Sequence, residues 1–133
     1  MMETVLLDTN IVSIAFKPDS RFEGYAPHLR GRHLAVSFMT VAELYQWTAV
    51  RNWGRRRITQ LERILQSYLF LPVNVELCRL WAQVRAARQS AGRPISPQDA
   101  WIAATALHDS IPLITDDYND FEGIAELDVR TSS

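Results

Sequence analysis

Short apolar runs alternate along the chain with stretches whose apolar residues recur at helical spacing. Thr4-Val5-Leu6-Leu7 ends in Asp8-Thr9-Asn10, the pattern of a buried strand entering a helix start. Leu34-Ala35-Val36-Ser37, Leu69-Phe70-Leu71 and Leu113-Ile114-Thr115 repeat the apolar run, and Leu127-Asp128-Val129 adds a short edge strand. Between them, Asn10 to Phe16 reads as a short helix that stops before Pro18, and residues 22–30 carry a small one. Thr40 to Val50 places Val41, Leu44, Tyr45 and Thr48 on one face, before Asn52-Trp53-Gly54 breaks the helix. Arg55 to Ser67 follows, with Ile58, Leu61, Ile64, Leu65 and Tyr68 at helical spacing. Val75 to Ala91 shows Leu77, Leu80, Trp81, Val84 and Ala87, and Gly92-Arg93-Pro94 ends it. Pro97 to His108 carries Ala100, Ala103, Ala104 and Leu107, small enough for close packing. Nearly continuous apolar strands alternating with helices predict an α/β fold. Its core is a parallel sheet of four to five strands, covered by helices on both faces.

Composition adds limits. The 133 residues suit a single domain, with no internal repeat or long linker. The net charge of -1 hides an asymmetry: residues 51–93 hold nine Arg and two acids, and residues 94–133 hold eight acids and one Arg. One cysteine excludes a disulfide-stapled scaffold, and Cys78, within the apolar helix, reads as packing. No run reaches transmembrane length and no leader pattern opens the chain, so the expected location is the cytoplasm, without a membrane.

Four acids lie in apolar surroundings: Asp8, Glu43, Asp99 and Asp117. An ionised carboxylate there is costly unless compensated. In a parallel sheet, sites lie beyond the carboxyl ends of the strands, near the topological switch point. Asp8 follows the first strand, Asp117 the fourth, and Glu43 and Asp99 fall in helix starts expected at the same edge. The four meet only if strands one and four are neighbours. Their natural compensation is a hard cation, Mg²⁺ or Mn²⁺, and such a centre hydrolyses phosphodiesters. Capping is the competing account for two of them. Thr40-Val41-Ala42-Glu43 matches a capping box with Thr40 at the N-cap, and Ser96-Pro97-Gln98-Asp99 resembles another.

Four motifs in order carry a resemblance over essentially the whole chain. They are Leu6-Leu7-Asp8-Thr9-Asn10, Ser37 through Thr40-Val41-Ala42-Glu43-Leu44, Asp99 through Ile102-Ala103-Ala104-Thr105-Ala106, and Thr115-Asp116-Asp117 through Asp120-Phe121. Together they resemble a PIN-domain ribonuclease, more narrowly a VapC-type toxin of a toxin–antitoxin pair. The resemblance implies a PIN-like three-layer α/β/α fold and a metal-dependent endoribonuclease. It implies Asp8, Glu43, Asp99 and Asp117 as catalytic metal ligands, with Asp116 and Asp120 as neighbours of the fourth. Thr9, Asn10 and Thr115 match small polar positions assigned to orienting the ligands. It also implies an RNA substrate, a cognate antitoxin and a homodimer within the complex.

Two rival readings stay open. One is a PIN-like module that binds RNA or protein without cutting. The other is an aspartyl-phosphate hydrolase of the haloacid-dehalogenase type, which needs an acid where Asn10 stands and a lysine near the later acids, whereas the only lysine is Lys17. Arg51, Arg55, Arg56 and Arg57 are candidates for RNA phosphate contact, with a solvated helix start as the alternative. Trp47 and Trp53 border the helix break and suit an interface, Tyr45 reads more simply as core, and Trp81 lies on an apolar stripe and reads as core. His28, His33 and His108 have no metal-ligand spacing.

Overall fold

The structure is a computed structural model that describes residues 2–132. Five strands, β1 (Thr4–Leu7), β2 (His33–Ser37), β3 (Leu69–Leu71), β4 (Leu113–Ile114) and β5 (Val129–Arg130), form one sheet in the order β3-β2-β1-β4-β5. All pairings are parallel. The order reverses between β1 and β4, which are neighbours, so the switch point falls where Asp8 and Asp117 leave the sheet. Helices α1 (Thr9–Phe16), α2 (Phe22–Leu29), α3 (Phe38–Val50), α4 (Arg55–Gln66), α5 (Val75–Ser90), α6 (Pro97–Asp109) and the single turn α7 (Tyr118–Phe121) complete the chain.

Alternation along the strands builds two cores. Val5, Leu7, Val36 and Ile114 pack with Ile11, Val12, Tyr25, Leu44 and Leu61 from α1 to α4. Leu6, Ala35 and Leu113 face the other way, onto Val84, Ile102, Ala103, Ala106 and Phe121 from α5 to α7. This is the three-layer α/β/α arrangement, with strands buried on both faces as in other parallel sheets. The alanines of α6 are nearly inaccessible and let α5 and α6 pack closely.

Several expectations are corrected. The N-cap of α3 is Ser37, whose hydroxyl accepts the Thr40 amide, so the helix starts two residues before Thr40 and Glu43 lies in its second turn. Glu43 therefore has no capping position. Tyr45 is 41% exposed, its hydroxyl donating to Glu62, because it lies about 100° around α3 from Leu44, at the margin of the face that buries Thr40, Leu44 and Thr48. Cys78 is exposed, not packed. Trp81 is only part-buried. As an edge strand, β3 leaves Leu69 and Phe70 about half exposed, so coverage on both faces holds only for the inner strands. The last strand is Val129–Arg130 rather than 127–129, and α7 was not expected. The second capping arrangement is present: Ser96 Oγ accepts the Asp99 amide at 3.1 Å, with Pro97 opening α6.

Candidate active site

The carboxyl edge gathers the four predicted acids, each supported differently. Asp8 stands directly beyond β1 and caps α1, its Oδ1 accepting the Thr9 amide at 2.8 Å. Its Oδ2 accepts the Thr115 hydroxyl at 2.7 Å, and Thr115 Oγ1 accepts the Asp117 amide at 3.0 Å. Asp8 is 5% exposed, and among the described residues it has no ion-pair partner. Burial pushes its carboxyl up to about 7 against the pull of those two hydrogen bonds, and the charges of Asp99 and Asp117 add to the rise.

Glu43 ends a chain of hydroxyls. Thr9 Oγ1 donates to Glu43 Oε1 at 2.8 Å. With that proton committed, Thr40 Oγ1 must donate to Thr9 Oγ1, 3.0 Å away, and Ser37 Oγ donates to Thr40 Oγ1 at 3.4 Å. Each donor polarises the next, and the chain points its protons at the carboxylate. Asp117 Oδ2 accepts Asn10 Nδ2 at 3.0 Å, while Asn10 Oδ1 accepts the Asp116 amide at 3.3 Å. Thr9, Asn10 and Thr115 thus each hold one of the acids: Glu43, Asp117 and Asp8 respectively.

Asp99 sits in the first turn of α6. Burial raises its carboxyl to about 6; the charge of Asp120 adds most after that, Ser96 opposes, and Glu43 and Asp117 contribute further. The acids therefore feel one another across the edge, and Asp120 joins them from α7. Asp116 does not. Its carboxylate is taken by Arg21 Nη1 at 2.9 Å and by the Tyr25 hydroxyl, which ties α2 to the end of β4. That compensation separates Asp116 from Asp117; whether Asp116 assists its neighbour is what the sequence left open.

The donor set suits a hard divalent cation: oxygen ligands only, one of them buried without a countercharge, two lifted in proton affinity partly by their neighbours. Among the described residues, no group of three or more acids, histidines or cysteines is placed closely enough to hold a metal ion as it stands. The side chains stand near one another, held by hydrogen bonds, rather than in a finished coordination sphere.

Sequence reasoning missed Ser37 and Thr40 as members of the hydroxyl chain, because Thr40 was read as a cap. It also missed Arg88, 8% exposed on α5, whose guanidinium donates to the carbonyls of Arg93 and Asp120 at 2.7 and 3.1 Å. That arginine ties α7 to the loop before α6, and so links the segments that carry Asp117 and Asp99. No local pattern announces such a contact. The four candidate arginines are exposed around the α3–α4 break, away from the acids. Arg51 lies eight residues beyond Glu43, about 12 Å along α3. Arg51 and Arg57 lie over Trp47 and Trp53, at 5.2 and 4.2 Å from the ring centroids, and both rings pack against the core.

A family model described as PIN domain matches residues 5–127. Toxin FitB from Neisseria gonorrhoeae is 31% identical over 125 residues, 88% of this chain and 90% of the relative. Ribonuclease VapC1 from Haemophilus influenzae is 30% identical over 124 residues, 92% of each. Among solved structures, FitAcB from Neisseria gonorrhoeae superposes with a TM-score of 0.81 at 29% identity, covering 96% of this chain and 97% of that one.

Proposed function

The chain belongs to the PIN domain family, and from that membership we propose that it is a VapC-type toxin, an endoribonuclease that hydrolyses RNA phosphodiester bonds and is restrained by a cognate antitoxin. The observation that carries this reading is the convergence of Asp8, Glu43, Asp99 and Asp117 at one sheet edge, three of them oriented by Thr115, Thr9 and Asn10. Relatives named as a toxin and as a ribonuclease, matched over nearly their full length, support it.

Activity depends on a divalent metal. We assign Mg²⁺ or Mn²⁺, held by Asp8, Glu43, Asp99 and Asp117. Bound there, such an ion would supply Lewis acidity for acidifying a water and offsetting charge on the phosphate. The protein's own part is orientation. Thr115 and the Thr9 amide fix the two oxygens of Asp8, the hydroxyl chain fixes Glu43, and Asn10 fixes Asp117. Arg51, Arg55, Arg56 and Arg57 form an exposed basic surface for RNA phosphates at a distance from the cleaved bond. The protein acts in the cytoplasm, and no helix among its described residues is long and apolar enough to cross a membrane. It forms a homodimer within the toxin–antitoxin complex, with exposed Tyr45 and Val50 of α3 as a contact surface. The intact acid set disfavours a silent module, and Asn10, engaged with Asp117, leaves no second acid for an aspartyl-phosphate mechanism.

The test is direct. Pure protein incubated with total RNA in Mg²⁺ or Mn²⁺ is expected to generate new 5′ ends. Expressed alone it is expected to arrest growth, and co-expression of a neighbouring small open reading frame to relieve the arrest, with its product co-purifying. Intact RNA under these conditions would refute the ribonuclease. Harmless expression of soluble, active protein with no partner recovered would leave the nuclease and remove the toxin.

The support of Glu43 is separately testable. Thr9→Val deletes the hydroxyl that donates to Glu43 and accepts from Thr40. Outer-shell partners of metal ligands typically account for about 10–100-fold in metal affinity or activity. Cleavage by Thr9→Val is expected to fall within that range and to recover in Thr9→Ser. Equal cleavage by wild type and Thr9→Val would show that the hydroxyl chain has no catalytic role.

A further inference from the structure

A line of aromatic rings flanks the acid edge, and the assignments above leave it unused. Trp81 of α5 and Trp101 of α6 stack with centroids 4.9 Å apart and planes 20° from parallel. Phe38, the first residue of α3, meets Trp101 at 5.2 Å and 74°. The Arg85 guanidinium lies 5.6 Å from the centre of the Trp81 ring. The line therefore bridges the two helical layers at the carboxyl edge, since α3 covers one face of the sheet and α5 and α6 the other. Phe38 follows Ser37, the start of the hydroxyl chain to Glu43, and Trp101 lies two residues beyond Asp99 on α6, on a different face of that helix from the acid.

The far end of the line is anchored. Trp81 Nε1 donates to the Pro97 carbonyl at 3.1 Å, and Arg85 Nη1 to the Ile95 carbonyl at 2.6 Å. The rings are not sealed into the core, because Phe38, Trp81 and Trp101 are all only part-buried. Trp101 already carries Trp81 stacked against it, and Phe38 meets it near a right angle, so the two outer rings enclose a corner. Fixed, part-exposed aromatic rings beside a phosphodiester-cutting centre match how single-stranded nucleic acid is held, by stacking of bases on side chains of set orientation.

We propose that Phe38 and Trp101 form a stacking platform for one unpaired nucleobase of the RNA, adjacent to the cleaved phosphate, with Trp81 and Arg85 holding Trp101 in place. This rests on the ribonuclease reading. The platform would position the strand across the acids and make cleavage depend on the flanking nucleotide and on its being unpaired.

The test uses full-length Asp8→Asn protein, so that binding is read without cleavage. The probes are short labelled single-stranded RNAs spanning a mapped cleavage site, each with one abasic nucleotide at a different position. One abasic position next to the cleaved bond is expected to weaken binding by about 5- to 150-fold, the range of a single base–aromatic stack. Adding Phe38→Leu or Trp101→Leu should abolish the penalty at that position and leave the others unchanged, while Trp101→Phe should largely keep it. If the Leu variants fail to fold, tryptophan quenching by the intact RNA substitutes as the readout, and it should shrink in Trp101→Phe. An unchanged abasic profile in the Leu variants, no sensitive position, or quenching equal with and without Trp101 would overturn the platform and leave the rings as a clamp between helices. Failure of wild-type protein to cut any RNA would instead remove the ribonuclease reading, and the platform with it.

Discussion

Asp8→Asn is expected to abolish RNA cleavage while making the metal-free protein more stable at pH 8. The carboxyl of Asp8 is 5% exposed and, with no bound cation, its burial raises it from 3.8 to about 7. A carboxyl raised on folding favours the neutral form, so its contribution is complete below about pH 4. It is lost as pH climbs towards about 7 and stays lost above. The full lift corresponds to about 4 kcal/mol, from ~1.4 kcal/mol for each tenfold change in proton affinity. Asn keeps the shape and removes the charge. Its oxygen can accept the Thr9 amide, and its amide can face the Thr115 hydroxyl, which is free to rotate. Because the buried amide retains some desolvation cost, the expected gain is about 1–3 kcal/mol at pH 8, vanishing near pH 4. Loss of a metal ligand is expected to cost about 100-fold or more in cleavage rate, several kcal/mol of transition-state stabilisation. Urea unfolding in EDTA at pH 4 and pH 8 checks the first part, and single-turnover cleavage the second. An Asn variant that cuts at the wild-type rate, or is less stable at pH 8, would return Asp8 to a purely structural capping role.

Withdrawal of divalent metal should stop cleavage and lower the melting temperature together. The carboxyls at the edge raise one another's proton affinity: Asp99 and Asp117 act on Asp8, and Asp120, Glu43 and Asp117 act on Asp99. A cation that binds only the folded state relieves this repulsion and stabilises by mass action, about 2.7 kcal/mol at a hundred times its Kd. For a domain of this size that is roughly 10 °C. Thermal scans with Mg²⁺ or Mn²⁺ against EDTA should show the rise, and Asp8→Asn should flatten it. Cleavage that persists unchanged in EDTA would refute the metal mechanism. A metal-induced rise as large in Asp8→Asn as in the wild type would place the ion elsewhere.

The sequence by itself determined most of the secondary structure, because each element rests on local periodicity. Val5, Leu6 and Leu7 read as a short buried strand, and Ser96-Pro97 as a helix start, and both are present. It also pointed to the candidate acids, since Asp8, Glu43, Asp99 and Asp117 stand against apolar neighbours and in four ordered motifs. Register and phase were harder. Ser37 and Thr40 are both competent caps three residues apart, and which one served was decided by where β2 ended. That choice left Glu43 free of capping. Only the tertiary structure brought β1 beside β4, and so Thr115 against Asp8 and Asn10 against Asp117 across more than 100 residues of chain. Only it gave Asp116 to Arg21 and Tyr25, which sets Asp116 apart from Asp117. The physical reason is common to all of these. Periodicity and capping are local and are written in neighbouring residues, whereas a buried carboxylate's charge is settled by groups distant in sequence, whose approach depends on strand order.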